Sequence, residues 1–128
     1  LALDFAYHLN YDEIANRCIV LEASVEKMNL AKDIFDLVTA FETVYYWTSM
    51  QDALHQIHRV LKPGGTLLIA NELNGELPQH LDIERKTRRR MRVFTASELE
   101  QALGDAGFAR MSVLSDAANH YVGVKGIK

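Results

Sequence analysis

Three consecutive aromatic residues, Tyr45, Tyr46 and Trp47, stand just before a segment with helical periodicity. Their rings could form the wall of a substrate pocket, or stack on a planar or cationic group. Aromatic residues in such a place also commonly pack beneath the helix that follows them. We predict that all three bind substrate, against the alternative that one or two of them belong to the core.

A dense basic run covers residues 85–92, where six of the eight side chains are Lys or Arg. Such a run suits an anion or nucleic-acid contact, because phosphate groups are bound mainly by cationic side chains. The alternative, which the sequence favours, is a solvated helix face. Within the run, Arg88 and Arg89 are the candidates for substrate contact.

Two histidines, His55 and His58, lie three residues apart in the segment with helical periodicity. Two histidines at this spacing could bind the same metal ion. Zinc sites use three or four protein ligands, however, and no third ligand stands at an obvious distance. We therefore predict no metal site. No Ser-His-Asp or Cys-His arrangement is legible, so the catalytic residues stay unassigned, with Glu42 and Tyr46 as candidate general bases.

The composition is that of a single folded domain over residues 1–128. Apolar residues make up 48% of the chain and charged residues 24%, which allows a sizeable core. The net charge of −3 gives no general attraction to nucleic acid or to an anionic membrane. The one cysteine, Cys18, excludes an intrachain disulfide, and no apolar run approaches the roughly 20 residues of a membrane span. We expect a cytoplasmic protein.

Hydrophobic periodicity predicts the elements that must position these residues. Apolar residues at helical spacing predict helices over 1–9, 49–61 and 95–107. Short apolar runs with β-branched residues predict strands at 18–21, 34–41, 66–71, 109–114 and 121–124. This alternation predicts an α/β fold, with a mostly parallel sheet covered on both faces and an antiparallel hairpin at its end.

Three motifs occur in a recognisable order along the chain: FDLV at 35–38, RVLKPGGTL at 59–67, and an FT–EL–AGF pattern over 94–108. Together they resemble the C-terminal two-thirds of a class I S-adenosylmethionine-dependent methyltransferase domain. The resemblance implies a Rossmann-like three-layer sandwich, S-adenosylmethionine as the cofactor and an acceptor that is a small molecule.

The family's Gly-rich cofactor loop, between its first strand and first helix, has no counterpart in this sequence. Glycines there let the backbone approach the ligand, and an acidic residue after the second strand accepts the ribose hydroxyls. The chain opens at Leu1, and its only glycine pair, Gly64-Gly65, follows a helix and precedes a strand. The resemblance therefore implies a truncated domain that lacks the family's first two strands and that binds the cofactor poorly as it stands.

The resemblance also implies which residues contact the cofactor. The loop after the family's third strand touches the adenine and matches Ser24 and Val25, with Ser24 where the family often has an acid. The end of the next strand faces the methionine part and matches Phe41 and Glu42. The basic run matches a region of the family that varies in sequence and covers the substrate site.

The truncation implies an exposed edge on the strand over 34–41, because its neighbour in the family is missing. An exposed apolar edge is a template for pairing with another chain. We therefore predict a homodimer or a swapped oligomer through this edge. The alternative to an enzyme is a non-catalytic dimerisation or interaction module derived from a methyltransferase, and nucleic-acid binding through the basic run ranks third.

Overall fold

The computed structural model describes the chain except residues 1, 15, 89, 116, 117 and 119. The helices are α1 (Ala2–Leu9), α2 (Met50–Val60), α3 (Pro78–Lys86) and α4 (Ala96–Asp105), and a short 3-10 helix covers Val44–Tyr46. The strands are β1 (Phe35–Phe41), β2 (Leu61–Asn71), β3 (Ala109–Val113) and β4 (Val122–Ile127). Among these described helices, none has the length and apolar character needed to cross a membrane.

The four strands form one sheet in the order β1-β2-β4-β3. Strands β1 and β2 run parallel, and β4 lies antiparallel between β2 and β3. The predicted α/β architecture and its closing antiparallel hairpin are confirmed. The parallel part, a single strand pair, is smaller than predicted because one of the expected strands does not form.

The predicted strand over 18–21 is wrong. Cys18 makes only an isolated bridge to Ile14, and the side chains of Ile19 and Leu21 are 80% and 61% exposed. A strand needs a neighbour that satisfies its N–H and C=O groups, and none of the described strands lies beside this segment. An apolar run without a pairing partner therefore stays irregular.

Helix α2 begins and ends close to the predicted positions. The hydroxyl of Ser49 caps it by accepting from the Asp52 N–H at 3.2 Å, and the helix ends at Val60. Strand β2 starts directly afterwards at Leu61, earlier than predicted, with an irregular register at its beginning. Gly64 has a φ of 80° in this stretch, a conformation that glycine adopts without strain.

The core lies between one face of the sheet and the helices α2 and α4, which also contact each other. Helix α4 begins with the predicted capping box, in which Thr95 and Glu98 each bond the other's backbone N–H. The largest side chains of this core are fully buried and include Leu54, Ile57, Leu67, Ile69, Leu99 and Leu103. This packing holds the parallel strands, and hence their carboxyl ends, in place.

The face of β1 that points away from this core is exposed. The side chains of Leu37 and Phe41 lie on that face and are 56% and 55% exposed, and Phe35 at the start of the strand is 38% exposed. Strand β1 pairs with β2 on one side and is the end strand of the described sheet. The outer edge of β1 is therefore unpaired within the described sheet, as the sequence predicts, and apolar side chains are exposed beside it.

Candidate functional site

The carboxyl ends of β1 and β2 meet at one edge of the sheet and are tied together by a single carboxylate. The Tyr45 hydroxyl donates to both oxygens of Glu42 at 3.2 Å and accepts from the Leu73 N–H at 2.9 Å. The N–H of Glu72 donates to Oε1 of Glu42. We call Glu42, Tyr45, Glu72 and Leu73 the strand-end cluster.

Glu42 adopts an unusual backbone conformation within the strand-end cluster. Its φ of 56° lies in the left-handed region, which costs a non-glycine residue about 1–3 kcal/mol and persists only where the surroundings enforce it. Tyr45 is one of the enforcing groups and is 3% exposed. Burial raises the pKa of Tyr45, and the Glu42 carboxylate adds to this effect, so the phenol stays protonated and acts as a donor.

The turn that carries Ser24 and Val25 is anchored at the start of α2. Oγ of Ser24 accepts from the Glu26 N–H at 3.2 Å. The Glu26 carboxylate in turn accepts from the N–H groups of Thr48 and Ser49, at 2.6 and 3.0 Å. Sequence reasoning missed Glu26, because its partners are 22 and 23 residues away and no local pattern marks such a contact.

A groove of about 420 Å³ follows the free edge of β1, and we call it the edge groove. Most of its walls are apolar, while Thr39 and Thr43 contribute hydroxyl groups. Two of the predicted site residues, Val25 and Trp47, line it together. Its lining includes Val25, Met28, Val38, Ala40, Thr43 and Trp47.

A second groove, of about 430 Å³, brings together Tyr46 and Arg88. We call it the cationic groove, and its lining consists of Tyr46, Lys86, Thr87, Arg88, Arg90 and Met91. The sequence favoured a solvated helix face for the basic run. The described basic side chains are exposed as predicted, but the helix is wrong for most of the run, since α3 ends at Lys86 and residues 87 and 88 form a turn. Arg89 lies outside the described residues.

The predicted site residues thus fall into three neighbouring places rather than one. The rings of Tyr45 and Tyr46, 6.2 Å apart and perpendicular, connect the strand-end cluster with the cationic groove. Two further predicted residues are exposed: Ser24, next to Val25 of the edge groove, and Phe41, the last residue of β1. The cluster holds Glu42 and Tyr45, the edge groove Val25 and Trp47, and the cationic groove Tyr46 and Arg88.

Asn71, the last residue of β2, is a candidate that the sequence pattern does not mark. Its side chain is 2% exposed, and neither Nδ2 nor Oδ1 finds a hydrogen-bond partner among the described residues. Buried amides are nearly always bonded, so such a group calls for an explanation. Asn71 directly precedes Glu72 of the strand-end cluster and so belongs to the same edge of the sheet.

Comparison with known proteins shows the family to which the chain belongs. The family described as "Methyltransferase domain" matches residues 3–69, just over half of the chain. The chain belongs to this family. The resemblance drawn from the FDLV, RVLKPGGTL and FT–EL–AGF motifs is confirmed.

Two curated relatives match part of the methyltransferase domain. The malonyl-[acyl-carrier protein] O-methyltransferase of Enterobacter lignolyticus is 36% identical over 59 residues, which are 46% of this chain and 24% of the relative. The ubiquinone/menaquinone biosynthesis C-methyltransferase of Blochmanniella pennsylvanica is 39% identical over 56 residues, 44% of this chain and 22% of the relative. The matched part spans about a quarter of the length of these relatives.

A solved structure, a SAM-dependent methyltransferase from Aquifex aeolicus, has the same fold as the methyltransferase domain. It superposes with a TM-score of 0.73 at 19% identity, over 98% of this chain and 62% of that chain. The predicted Rossmann-like fold is confirmed, and the domain is shorter than this neighbour. S-adenosylmethionine, the predicted cofactor, is confirmed for the family.

The two histidines of α2 have different surroundings in the methyltransferase domain. His58 is partly buried and meets the ring of Phe108 edge-on, with 5.1 Å between the ring centres, whereas His55 is exposed. Across the described residues, no three His, Cys, Asp or Glu side chains are grouped as metal ligands would be. His58 therefore serves packing in this structure.

We expect the methyltransferase domain to lose stability as the pH falls through the histidine range. Burial lowers the pKa of His58 below the ordinary 6.5, and Lys128 acts in the same direction. The unfolded chain then binds a proton at a higher pH than the folded one, so this stability is present above about pH 6.5 and is lost below it. Urea unfolding at about pH 7.5 and 5.5 measures the effect.

The His58→Gln variant should lose much of this pH dependence, because it removes the titrating ring. His55→Gln is the matched control, since it makes the same change on the exposed side of the same helix and should leave the dependence as in the wild type. An undiminished pH dependence in His58→Gln would show that the effect arises elsewhere.

Proposed function

We propose that this chain forms the later part of an S-adenosylmethionine-dependent methyltransferase site that acts on a small-molecule acceptor. The observation that carries the proposal is the strand-end cluster, which lies beyond the carboxyl ends of parallel strands, where ligands bind in open α/β sheets. In this proposal residues 1–128 are one incomplete domain, and the protein is cytoplasmic.

The cofactor is assigned to the turn at Ser24 and Val25 and to the end of β1. Val25 lines the edge groove, whose apolar walls suit the faces of an adenine ring, and the Ser24 hydroxyl can accept from its amino group. Phe41 and Glu42 follow along β1 toward the methionine part. When bound, the cofactor supplies an electrophilic methyl group, and the share of the protein is mainly to align the reactants.

The acceptor is assigned to Tyr46 and to the basic run, with Arg88 and Arg89. Of the other two aromatic residues, Tyr45 is 3% exposed and belongs to the core, in line with the alternative predicted from the sequence, and Trp47 lines the edge groove assigned to the cofactor. Tyr46 and Arg88 share the cationic groove, one ring away from the strand-end cluster. Both oxygens of the Glu42 carboxylate already accept hydrogen bonds from the protein. The proposal therefore gives these residues a role in positioning and leaves the general base unassigned.

Fluorescence of Trp47, the only tryptophan of the chain, tests the cofactor assignment. Titration with S-adenosylmethionine should change the fluorescence weakly but saturably, because the chain lacks the glycine loop. A Val25→Asp variant should abolish the response by charging the edge groove. Val113→Asp, on an exposed position of β3, is the control and should respond as the wild type does. No response at any cofactor concentration would contradict the assignment.

A homodimer through the free edge of β1 is a second candidate, and it would compete with the cofactor because Phe35 and Leu37 also line the edge groove. Phe35, Leu37 and Phe41 expose apolar surface along an end strand, and pairing with a second copy would bury it. Light scattering should then give twice the chain mass of 14.5 kDa, and Leu37→Lys should reduce it to one. A wild-type monomer would contradict the dimer. A dimer without any cofactor response would support the non-catalytic interaction module instead.

A further inference from the structure

The arginines at the two ends of the basic run have acidic partners, but those of the cationic groove have none in the part of the chain that the structure describes. Arg85 bonds Asp82 at 2.8 Å, and Arg92 lies 3.5 Å from Glu98. Among the described residues, no carboxylate pairs with the three basic side chains of the groove, which are Lys86, Arg88 and Arg90. These three charges face one small concave surface in a chain whose net charge is −3.

The backbone beside the cationic groove is fixed to the edge of the sheet. The Arg92 N–H donates to the carbonyl of Tyr45 at 2.9 Å, which joins the basic run to the 3-10 helix after β1. The Val93 N–H donates to the Glu84 carboxylate at 2.7 Å, which joins it to α3. Within the run, the Arg88 N–H donates to the Arg85 carbonyl and the Arg90 N–H to the Thr87 carbonyl, each at 3.1 Å. Backbone bonds therefore fix the residues that carry the charges of the groove.

The cationic groove also has an aromatic wall. Tyr46 is 62% exposed, so its ring is available to a ligand, and it lies in the same lining as Arg88. Arg88 holds a left-handed backbone conformation, with a φ of 53°. A flat apolar group beside an oxyanion would match this combination, because the ring offers a stacking surface and the cations offer charged donors.

We propose that the cationic groove binds an oxyanion, a carboxylate or phosphate carried by the methyl acceptor, whose planar or apolar part packs on Tyr46. That the anion belongs to the methyl acceptor rests on the proposed function. The anion site itself is inferred from the residues of the cationic groove alone. A groove of about 430 Å³ holds a small molecule, and the negative net charge of the chain opposes a long polyanion.

Calorimetric titration of the 128-residue chain with phenyl phosphate and with benzoate tests the site, with phenol as the uncharged probe. We expect saturable binding of at least one anion and no measurable binding of phenol. Arg88→Gln and Lys86→Gln should each weaken the anion about tenfold, the size expected for one charge-assisted hydrogen bond. The two anions distinguish a phosphate site from a carboxylate site.

Arg110→Gln is the matched control. Like Arg88, Arg110 has an exposed side chain and a left-handed backbone conformation, with a φ of 46°. It lies on β3, away from the cationic groove. It should bind the anion within about twofold of the wild type. Circular dichroism of each variant checks that the fold is intact, and Tyr46→Ala should weaken phenyl phosphate more than inorganic phosphate.

Equal weakening in Arg110→Gln, or no saturable anion binding, would overturn the proposal, because the charges would then act only as a diffuse field. Tight binding of a single-stranded RNA that depends on Arg88 would overturn it in favour of a nucleic-acid site. These titrations contain no cofactor, so a failure of the anion site and a failure of the cofactor assignment are observed separately.

Discussion

The Tyr45→Ala variant is expected to lose about 3–5 kcal/mol of its free energy of unfolding. The side chain is 3% exposed, so its removal leaves a cavity in the core. It also leaves the Glu42 carboxylate and the Leu73 N–H without the hydroxyl that now bonds both. Urea unfolding followed by circular dichroism measures the loss.

Two variants separate the causes of this loss. Tyr45→Phe keeps the ring and removes only the hydroxyl, so we expect a smaller loss of about 1–3 kcal/mol. Tyr46→Ala makes the same truncation one residue later, where the side chain is 62% exposed, and should change the free energy of unfolding by less than about 0.5 kcal/mol. Equal losses for the two alanine variants would contradict the role given to Tyr45.

The Gly75→Ala variant is expected to lose about 1–3 kcal/mol of the free energy of unfolding through overpacking. A Cβ at this position would lie 2.8 Å from the carbonyl carbon of Phe94 and 2.9 Å from the nitrogen of Thr95. These are backbone atoms at the start of α4 and cannot move aside cheaply. The Gly75 N–H also donates to the Phe94 carbonyl at 3.0 Å, so the clash strains a bond that joins two loops.

Gly104→Ala provides the control for this prediction. Gly104 lies in α4, and an added Cβ would meet nothing closer than Cε of Met111, at 3.5 Å. Because alanine favours a helix interior over glycine, this variant should gain about 0.5–1 kcal/mol. Thermal unfolding of the two variants should therefore shift in opposite directions, and shifts of the same sign would contradict the assignment.

The elements that local chemistry specifies could be predicted from the sequence. Ser49 and Thr95 mark the starts of α2 and α4 because capping depends on residues three positions apart. The strand over 34–41 and the closing hairpin follow from short apolar runs next to glycine and polar residues. The same reasoning failed at 18–21, because a strand also requires a partner, and the sequence of a segment does not reveal whether one lies beside it.

The site could be predicted only in part, for the same reason. The carboxyl end of β1 directs attention to Phe41 and Glu42, since strand ends are where ligands bind. The bond from the Leu73 N–H to the Tyr45 hydroxyl and the contacts of Glu26 join residues more than 20 positions apart, and no periodicity encodes them. Among the described residues, the basic run also divides between charges with and without a carboxylate partner, a distinction that depends on where Asp82 and Glu98 lie in space.

Strand β4 lies between β2 and β3, so within the described sheet β3 is attached through β4 alone. Any fluctuation that opens the β2–β4 ladder therefore releases β3 as well, while the parallel pair β1–β2 can remain closed. Because β3 is an end strand and can also detach while the β2–β4 ladder stays closed, its backbone amides should exchange with solvent at least as fast as those of β4. The hairpin would then act as one cooperative opening unit, distinct from the two strands whose ends form the strand-end cluster.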